Sequence, residues 1–424
     1  MISPDQIIFA EEQDRLDPLA FLRNQYNLPK ERDGSPSIYL CGNSLGLQPL
    51  KAHEYVSQEL NRWAALGVKG HFEGDLSWVD YSKSMVLATS KIVGAQADEV
   101  TIMNTLTVNI HLMLVSFYRP EGKKNKILIE HSPFPSDMYA LKSHLRFKGL
   151  DPHEVLIELK PRHGEYIIRK EDIETCFYDH GDTIALVYVG SVNYLSGQAF
   201  DISDLAQNAH RYGAMIGVDL AHGAGNIILK LHDWEVDFAV WCHYKYLNGG
   251  PNSLAGCFIH RHHHGKAGMS RLEGWWGHDA QRRFLMEPDF IPMTGVQAWQ
   301  LSGPPILSLA GMRAGIEDFY AVGMETLRAK SVILTQFLQD LILAIDDPRI
   351  RIISPLTSDQ RGCQLSIMLS PPDKKVFEAL IASGVVVDWR EPGIMRVAPV
   401  PMYNSFEEVY KFVSIFKYIL KKQS

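Results

Sequence analysis

From about residue 100 the chain alternates short apolar runs with longer stretches whose apolar residues recur at helical spacing. The runs KILIE (126–130), EVLIEL (154–159), TIALVYVG (183–190), AMIGVD (214–219), VDFAVWC (236–242) and AGCFIH (255–260) are rich in β-branched and aromatic side chains. Largely continuous apolar runs suit strands covered on both faces, and helices between them imply crossover connections and a mainly parallel sheet. DISDLAQNAHRYG illustrates the helical stretches: Asp201 or Ser203 caps it, Leu205, Ala206 and Ala209 share one side, and Gly213 stops it.

After Pro304 and Pro305 the pattern becomes a long helical region from 306 to about 345. Strands are expected near 349–354, 363–369, 384–389 and 394–399, with a final helix from Ser405. The expected organisation has three parts. Residues 1–50 form an N-terminal segment contributing to the small domain and the active site, 51–303 a large α/β domain, and 304–424 a smaller α+β domain.

Composition narrows the function classes. The chain has 424 residues, 46% hydrophobic and 21% charged, enough to build one large core and a second smaller one. A formal net charge of -7 lacks the basic excess of a nucleic-acid binder, so no such partner is expected. The start MISPDQIIFAEEQD carries acidic residues where a signal peptide needs a basic region, and no segment approaches ~18 uninterrupted apolar residues. The expectation is a cytoplasmic protein with no membrane partner. Five scattered cysteines without a C-x-x-C pair read as reduced thiols. The run His260-Arg261-His262-His263-His264 lacks the spacing that places ligands on one face, so a solvated loop and no metal are expected there.

The chemistry concentrates between Ala214 and Gly250. Asp219 falls where a buried strand meets a Gly-rich turn, the usual place for ligand-facing residues in open α/β sheets. Such an acid either caps the turn or faces a cation. In a pyridoxal-phosphate enzyme that cation is the pyridine nitrogen, kept protonated so that the ring accepts electrons. Lys245 directly follows another apolar strand and sits between Tyr244 and Tyr246. A desolvated lysine amine is more readily neutral and so available for imine formation; the other reading is a lysine snorkelling past two tyrosines.

Two further segments supply complementary groups. MNTLTVNIHLMLVSFY reads as a buried helix whose start is crowded by Asn104, Thr105 and Thr107, which either cap it or leave a phosphate site. HSPFPSDMY directly follows strand KILIE, so Phe134, Pro135, Ser136 and Asp137 occupy the same strand-end rim, as a rigid turn or as a ring-stacking site. No Walker P-loop is present, and Gly223-Ala-Gly225 lacks the third glycine of a dinucleotide fingerprint.

Seven segments in order resemble the kynureninase family, a member of the aminotransferase class V group of fold-type I pyridoxal-phosphate enzymes. They are YLCGNSLGLQP (39–49), MNTLTVNIHL (103–112), FPSD (134–137), VDLAHGAGN (218–226), WCHYKYLNGG (241–250), GWWGH (274–278) and MRVAPVPMYNSF (395–406). The resemblance implies pyridoxal 5′-phosphate as cofactor, joined to Lys245, with Asp219 at the pyridine nitrogen and His222 lining the site. It implies that Phe134 stacks on the ring with Asp137 near its polar edge. Leu106, Thr107 and Tyr244 would hold the phosphate, and Ser191 would sit beside the cofactor. Trp275 would reach the phosphate from the neighbouring subunit of a homodimer with shared active sites. Arg396 would clamp the substrate α-carboxylate, with Asn43 and Ser44 closing that end.

The implied reaction is hydrolytic Cβ–Cγ cleavage of L-kynurenine or its 3-hydroxy form to anthranilate or 3-hydroxyanthranilate and L-alanine, in tryptophan catabolism or NAD biosynthesis. Lys245, Asp219 and Tyr244 would be its catalytic residues. Gly303 stands where the family often has Asn in a cofactor-site motif, and His243 where a small residue is common; His71 and Gly303 together leave the substrate preference open. The rival readings are another class V reaction, aminotransfer or cysteine desulfuration, and a non-catalytic binding protein on the same fold.

Overall fold

A computed structural model describes residues 4–423. Its central sheet has seven strands in the order Val100–Met103, Ala255–Ile259, Phe238–Cys242, Met215–Asp219, Ile184–Gly190, Lys126–Glu130 and Leu156–Leu159. Ala255–Ile259 pairs antiparallel with both neighbours, and every other pairing is parallel. Strand Val100–Met103 is an addition to the sequence reading; its four residues are all buried, but so short a run carries little periodic signal.

The uninterrupted apolar character of these strands has a direct structural cause. Along Lys126–Glu130, Leu128 enters one core while Ile127 and Ile129 enter the other. Val187 and Val189 face the first of these cores, and Leu186 and Tyr188 the second. The first core is closed by helix Ile202–Arg211, through Ile202, Leu205, Ala206 and Ala209. Asp201 caps that helix by accepting from the Asp204 N–H, which selects one of the two expected caps, and Gly213 ends it at φ +67°. Helices Leu106–Phe117 and Pro135–Phe147 close the second core.

Strands Ile350–Ile352, Leu365–Leu369, Ile394–Val397 and Asp388–Arg390 form a separate antiparallel sheet in that order. Ser405 and Glu408 make a capping box that starts the last helix, Phe406–Lys422, whose Phe412 and Phe416 pack in the small core. The expected long helical region is two helices, Ile306–Val322 and Met324–Leu343, broken at Gly323 with φ +83°. The first packs against Leu50–Leu66 and Lys83–Val93, on the large-sheet side, while Leu334, Leu338 and Leu341 of the second enter the small core.

The first fifty residues link the two sheets. Ile38–Tyr39 pairs in parallel with Val385–Val386. The chain then crosses to the large sheet, where the Gly46 N–H donates to the Tyr244 carbonyl at 2.8 Å. A Cβ at Gly46 would press on the Lys245 carbonyl and lie 2.8 Å from Asn248 Cα, so only glycine permits this approach.

Candidate active site

Glu130, Gly190 and Asp219 end three neighbouring parallel strands and open onto a cavity of about 350 Å³. Its wall also holds Leu106, Thr107, Phe134, Ser136, Asp137, Tyr194, His222, Tyr244 and Lys245. Carboxyl ends of parallel strands are where open α/β sheets place ligands, because the connecting loops diverge there. The topology thus gathers into one chamber residues spread over 140 positions of sequence, from Leu106 to Lys245.

Lys245 is only 8% exposed. Its Nζ lies 3.0 Å from His222 Nε2 and 5.5 Å from the centroid of the Phe134 ring. Burial, then the charge of Lys245, push the His222 imidazole well below its usual pKa, so the ring is neutral. Its Nε2 accepts from Lys245 Nζ, which leaves the proton on Nδ1, a buried atom with no partner among the described residues.

Three acids share the same wall. Asp219 Oδ1 accepts the Ala221 N–H at 2.6 Å. Asp137 stands in the first turn of helix Pro135–Phe147 and hydrogen-bonds to Asp219. Burial, reinforced by the Asp219 charge, lifts the Asp137 carboxyl well above its usual range, so Asp137 keeps its proton and donates to Asp219. Asp219 is also raised by burial, but the Ala221 N–H, the Asp137 donor and Lys245 all oppose that shift. Burial pushes Glu130 up to about 7 even though it accepts the Gly190 N–H at 2.9 Å. Within the Asp137–Asp219 pair the negative charge therefore falls on Asp219.

Thr105 occupies the N-cap of helix Leu106–Phe117 without making a side-chain cap, so the capping alternative is not realised there. Phe134 likewise precedes helix Pro135–Phe147 without capping it. The N-terminus of helix Leu106–Phe117 therefore opens its N–H groups onto the cavity, an arrangement that attracts an anion, whereas at Pro135–Phe147 the Asp137 N–H is taken by the Phe134 carbonyl at 3.0 Å. Phe134 is 40% exposed, and its ring stands edge-on to Tyr194 at 5.2 Å. Burial raises the Tyr244 hydroxyl above its usual pKa and keeps it a neutral phenol.

Arg396 is buried, and its surroundings differ from the free clamp expected from sequence. Its Nε donates to Asp388 Oδ1 at 2.7 Å, and its Nη2 bonds both Asp388 Oδ2 and Ser44 Oγ. Its Nη1 donates to the Tyr194 carbonyl at 2.9 Å. Asp388 is directly opposite Arg396 on the adjacent antiparallel strand, and Ser44 also donates to Asp388. The fork already holds a carboxylate, so any clamping of another requires an exchange. Asn43 is fully buried and donates to Gln364 at 3.1 Å.

Other expected residues lie off the cavity wall. Ser191 is buried behind it, its N–H donating to the Asp219 carbonyl at 2.8 Å, which fixes the end of that strand. Pro135 is the first residue of its helix, between two wall residues. Trp275 is 49% exposed and donates from Nε1 to the Arg283 carbonyl. His71 is exposed, edge-on to Trp78, and Gly303 lies against the Trp276 ring. Sequence reasoning missed Glu130, Tyr194 and Asp388. The signal for Glu130 was available: it ends KILIE as Asp219 ends AMIGVD. His243 is fully buried, bonding the Leu254 carbonyl through Nδ1, and so fills its position structurally.

A reversed strand within an otherwise parallel seven-stranded sheet, with a lysine and an aspartate at or beyond the carboxyl ends of interior strands, is the arrangement expected of a fold-type I pyridoxal-phosphate-dependent enzyme. Solved structures agree on the fold. The cysteine desulfurase from Thermococcus onnurineus NA1 superposes with a TM-score of 0.75 at 16% identity, covering 91% of this chain and 95% of its own. A C-DES variant with glycine linked to its PLP cofactor gives 0.76 at 15%, covering 93% and 98%. None of this chain's five cysteines lines the cavity.

The chain belongs to the kynureninase family. The model of the kynureninase C-terminal domain matches residues 327–416. Kynureninase of Flavobacterium psychrophilum is 47% identical over 98% of this chain and 99% of its own. The corresponding values for that of Myxococcus xanthus are 48%, 96% and 96%. The cofactor is pyridoxal 5′-phosphate, and the chain's groups fit it: a buried lysine, an aspartate at a strand end on the same wall, an unpartnered His222 Nδ1 and the uncapped start of helix Leu106–Phe117.

Proposed function

We propose that the chain is a hydrolase that cleaves the Cβ–Cγ bond of L-kynurenine or 3-hydroxy-L-kynurenine, giving L-alanine and anthranilate or 3-hydroxyanthranilate. The observation that carries this reading is the buried Lys245 amine against His222, on the wall it shares with anionic Asp219, in a chain of this family.

When bound, pyridoxal phosphate supplies an electron sink for negative charge developing beside the substrate amine. Lys245 is the attachment point and the base that removes the Cα proton. Asp219 would pair with the pyridine nitrogen, and Asp137 holds that carboxylate by donating to it. Phe134 would cover the cofactor ring, and His222 lines the site beside Lys245. Leu106 through its backbone, Thr107 and the Tyr244 hydroxyl would hold the phosphate. Water would add its hydroxyl to the Cγ carbonyl carbon, and Tyr244, kept protonated by burial, would hand a proton to Cβ as the Cβ–Cγ bond breaks.

Arg396 receives the substrate α-carboxylate in place of Asp388, with Asn43 and Ser44 beside it; a bidentate fork exchanges one carboxylate for another without losing its geometry. The working form is a cytoplasmic homodimer in which half-exposed Trp275 completes the partner's phosphate site. His71 and Gly303 set the preference between the two substrates, and the product serves tryptophan catabolism or NAD biosynthesis.

The test is incubation with L-kynurenine. Fluorescent anthranilate and alanine are expected in equal amounts, and parallel kinetics on the 3-hydroxy form assigns the preference. Glutamate-dependent amino transfer without anthranilate overturns the reading.

A further inference from the structure

Along the chain the histidine run after strand Ala255–Ile259 has no ligand spacing, but the fold gives it new neighbours. Asp237, immediately before strand Phe238–Cys242, is buried. Its Oδ1 lies 2.6 Å from His263 Nε2 and 3.2 Å from His262 Nε2, and those two nitrogens are 2.7 Å apart. Asp237 Oδ2 accepts the Ile216 N–H at 2.7 Å and lies 3.1 Å from His210 Nε2. These groups border a cleft of about 280 Å³ at the end of the strand opposite the one leading to Lys245.

Protons alone satisfy this trio poorly. Two ring nitrogens 2.7 Å apart can hold one proton between them, whereas donation from both to Asp237 would require two protons facing each other. A cation bound to all three removes the conflict. The neighbouring cluster of Glu99, His232 and His260 is different, because the Glu99 oxygens already accept the Gln96 and Arg261 N–H groups.

We propose that Asp237, His262 and His263 bind a divalent transition-metal ion of the Zn2+ class, with His210 supporting the second oxygen of Asp237. Two imidazoles and a carboxylate select Zn2+ over the hard, oxygen-seeking Ca2+ and Mg2+. Ligand bonds of about 2.0–2.2 Å require the donors to spread slightly, which His262 allows because 37% of its side chain is exposed. The ion ties the start of strand Phe238–Cys242 to the turn after Ala255–Ile259 and the end of helix Ile202–Arg211.

Tag-free holoenzyme stripped of metals with a chelator and titrated with ZnCl2 in a calorimeter should bind one high-affinity ion per chain and melt at a higher temperature with Zn2+ present. His262→Ala removes an exposed ligand, so the variant should fold, keep its cofactor absorbance, and bind Zn2+ more weakly by at least the ~10–100-fold that even an outer partner is worth. His210→Gln should weaken binding within that range. Absence of a high-affinity site in the unmodified protein, or an isotherm unchanged in His262→Ala, overturns the proposal.

Discussion

Replacing Glu130 with glutamine removes one titrating group from the cavity wall while retaining an oxygen that can accept the Gly190 N–H. Glu130 is 4% exposed, and burial raises its pKa from 4.5 to about 7 in the folded chain. A raised carboxyl pKa means that the folded state holds its proton more tightly than the unfolded chain. The associated stability is complete below pH 4.5, declines by about 1.4 kcal/mol per pH unit above it, and is lost by about pH 7. The full contribution is on the order of 3 kcal/mol, of which about 2 kcal/mol disappears between pH 5 and pH 7.5. Glu130→Gln cannot lose it.

Urea unfolding of the cofactor-free protein at the two pH values measures this directly. The stability of the variant relative to the unmodified chain should rise by about 2 kcal/mol from pH 5 to pH 7.5, since the other titrating groups are common to both proteins. A difference that stays flat across that interval would refute the raised pKa of buried Glu130.

Lys245→Ala should abolish the near-visible absorbance of the holoenzyme and the release of anthranilate together; a variant that keeps the band rules out Lys245 as the attachment point. Arg396→Ala removes charge-assisted hydrogen bonds worth about 1.5–3 kcal/mol, so KM for L-kynurenine should rise roughly 10–100-fold while the cofactor spectrum persists. An unchanged KM counts against the carboxylate role. Gly46→Ala forces a methyl group against Asn248 Cα and the Lys245 carbonyl. It should cost about 1–3 kcal/mol of stability and weaken cofactor retention, read by thermal melting and by absorbance after dialysis; wild-type values for both would contradict the close approach.

The strands, the helix caps and the final capping box were legible in the sequence because they depend on neighbours a few residues away: apolar continuity in TIALVYVG, Asp201 before its helix, Ser405 three positions before Glu408. Lys245 and Asp219 were legible too, as polar residues placed where buried strands end. The two-residue strands Tyr26–Asn27, Ile38–Tyr39 and Gln48–Pro49 and the four-residue strand Val100–Met103 were not, since so few positions carry no period.

What the tertiary structure decided are meetings between distant segments. Asp388 takes the fork of Arg396 because antiparallel pairing sets them opposite each other. Glu130, Asp137 and Asp219 become one acid cluster, and proton placement among them follows from shared burial, which no single segment encodes. The histidine run, unremarkable along the chain, meets Asp237 and His210 only when strand Ala255–Ile259 is laid antiparallel to Phe238–Cys242. Local pattern determines where a residue sits on its own element, whereas hydrogen bonds and Coulomb interactions act across a few ångströms of space, so charge state and partner choice belong to the fold.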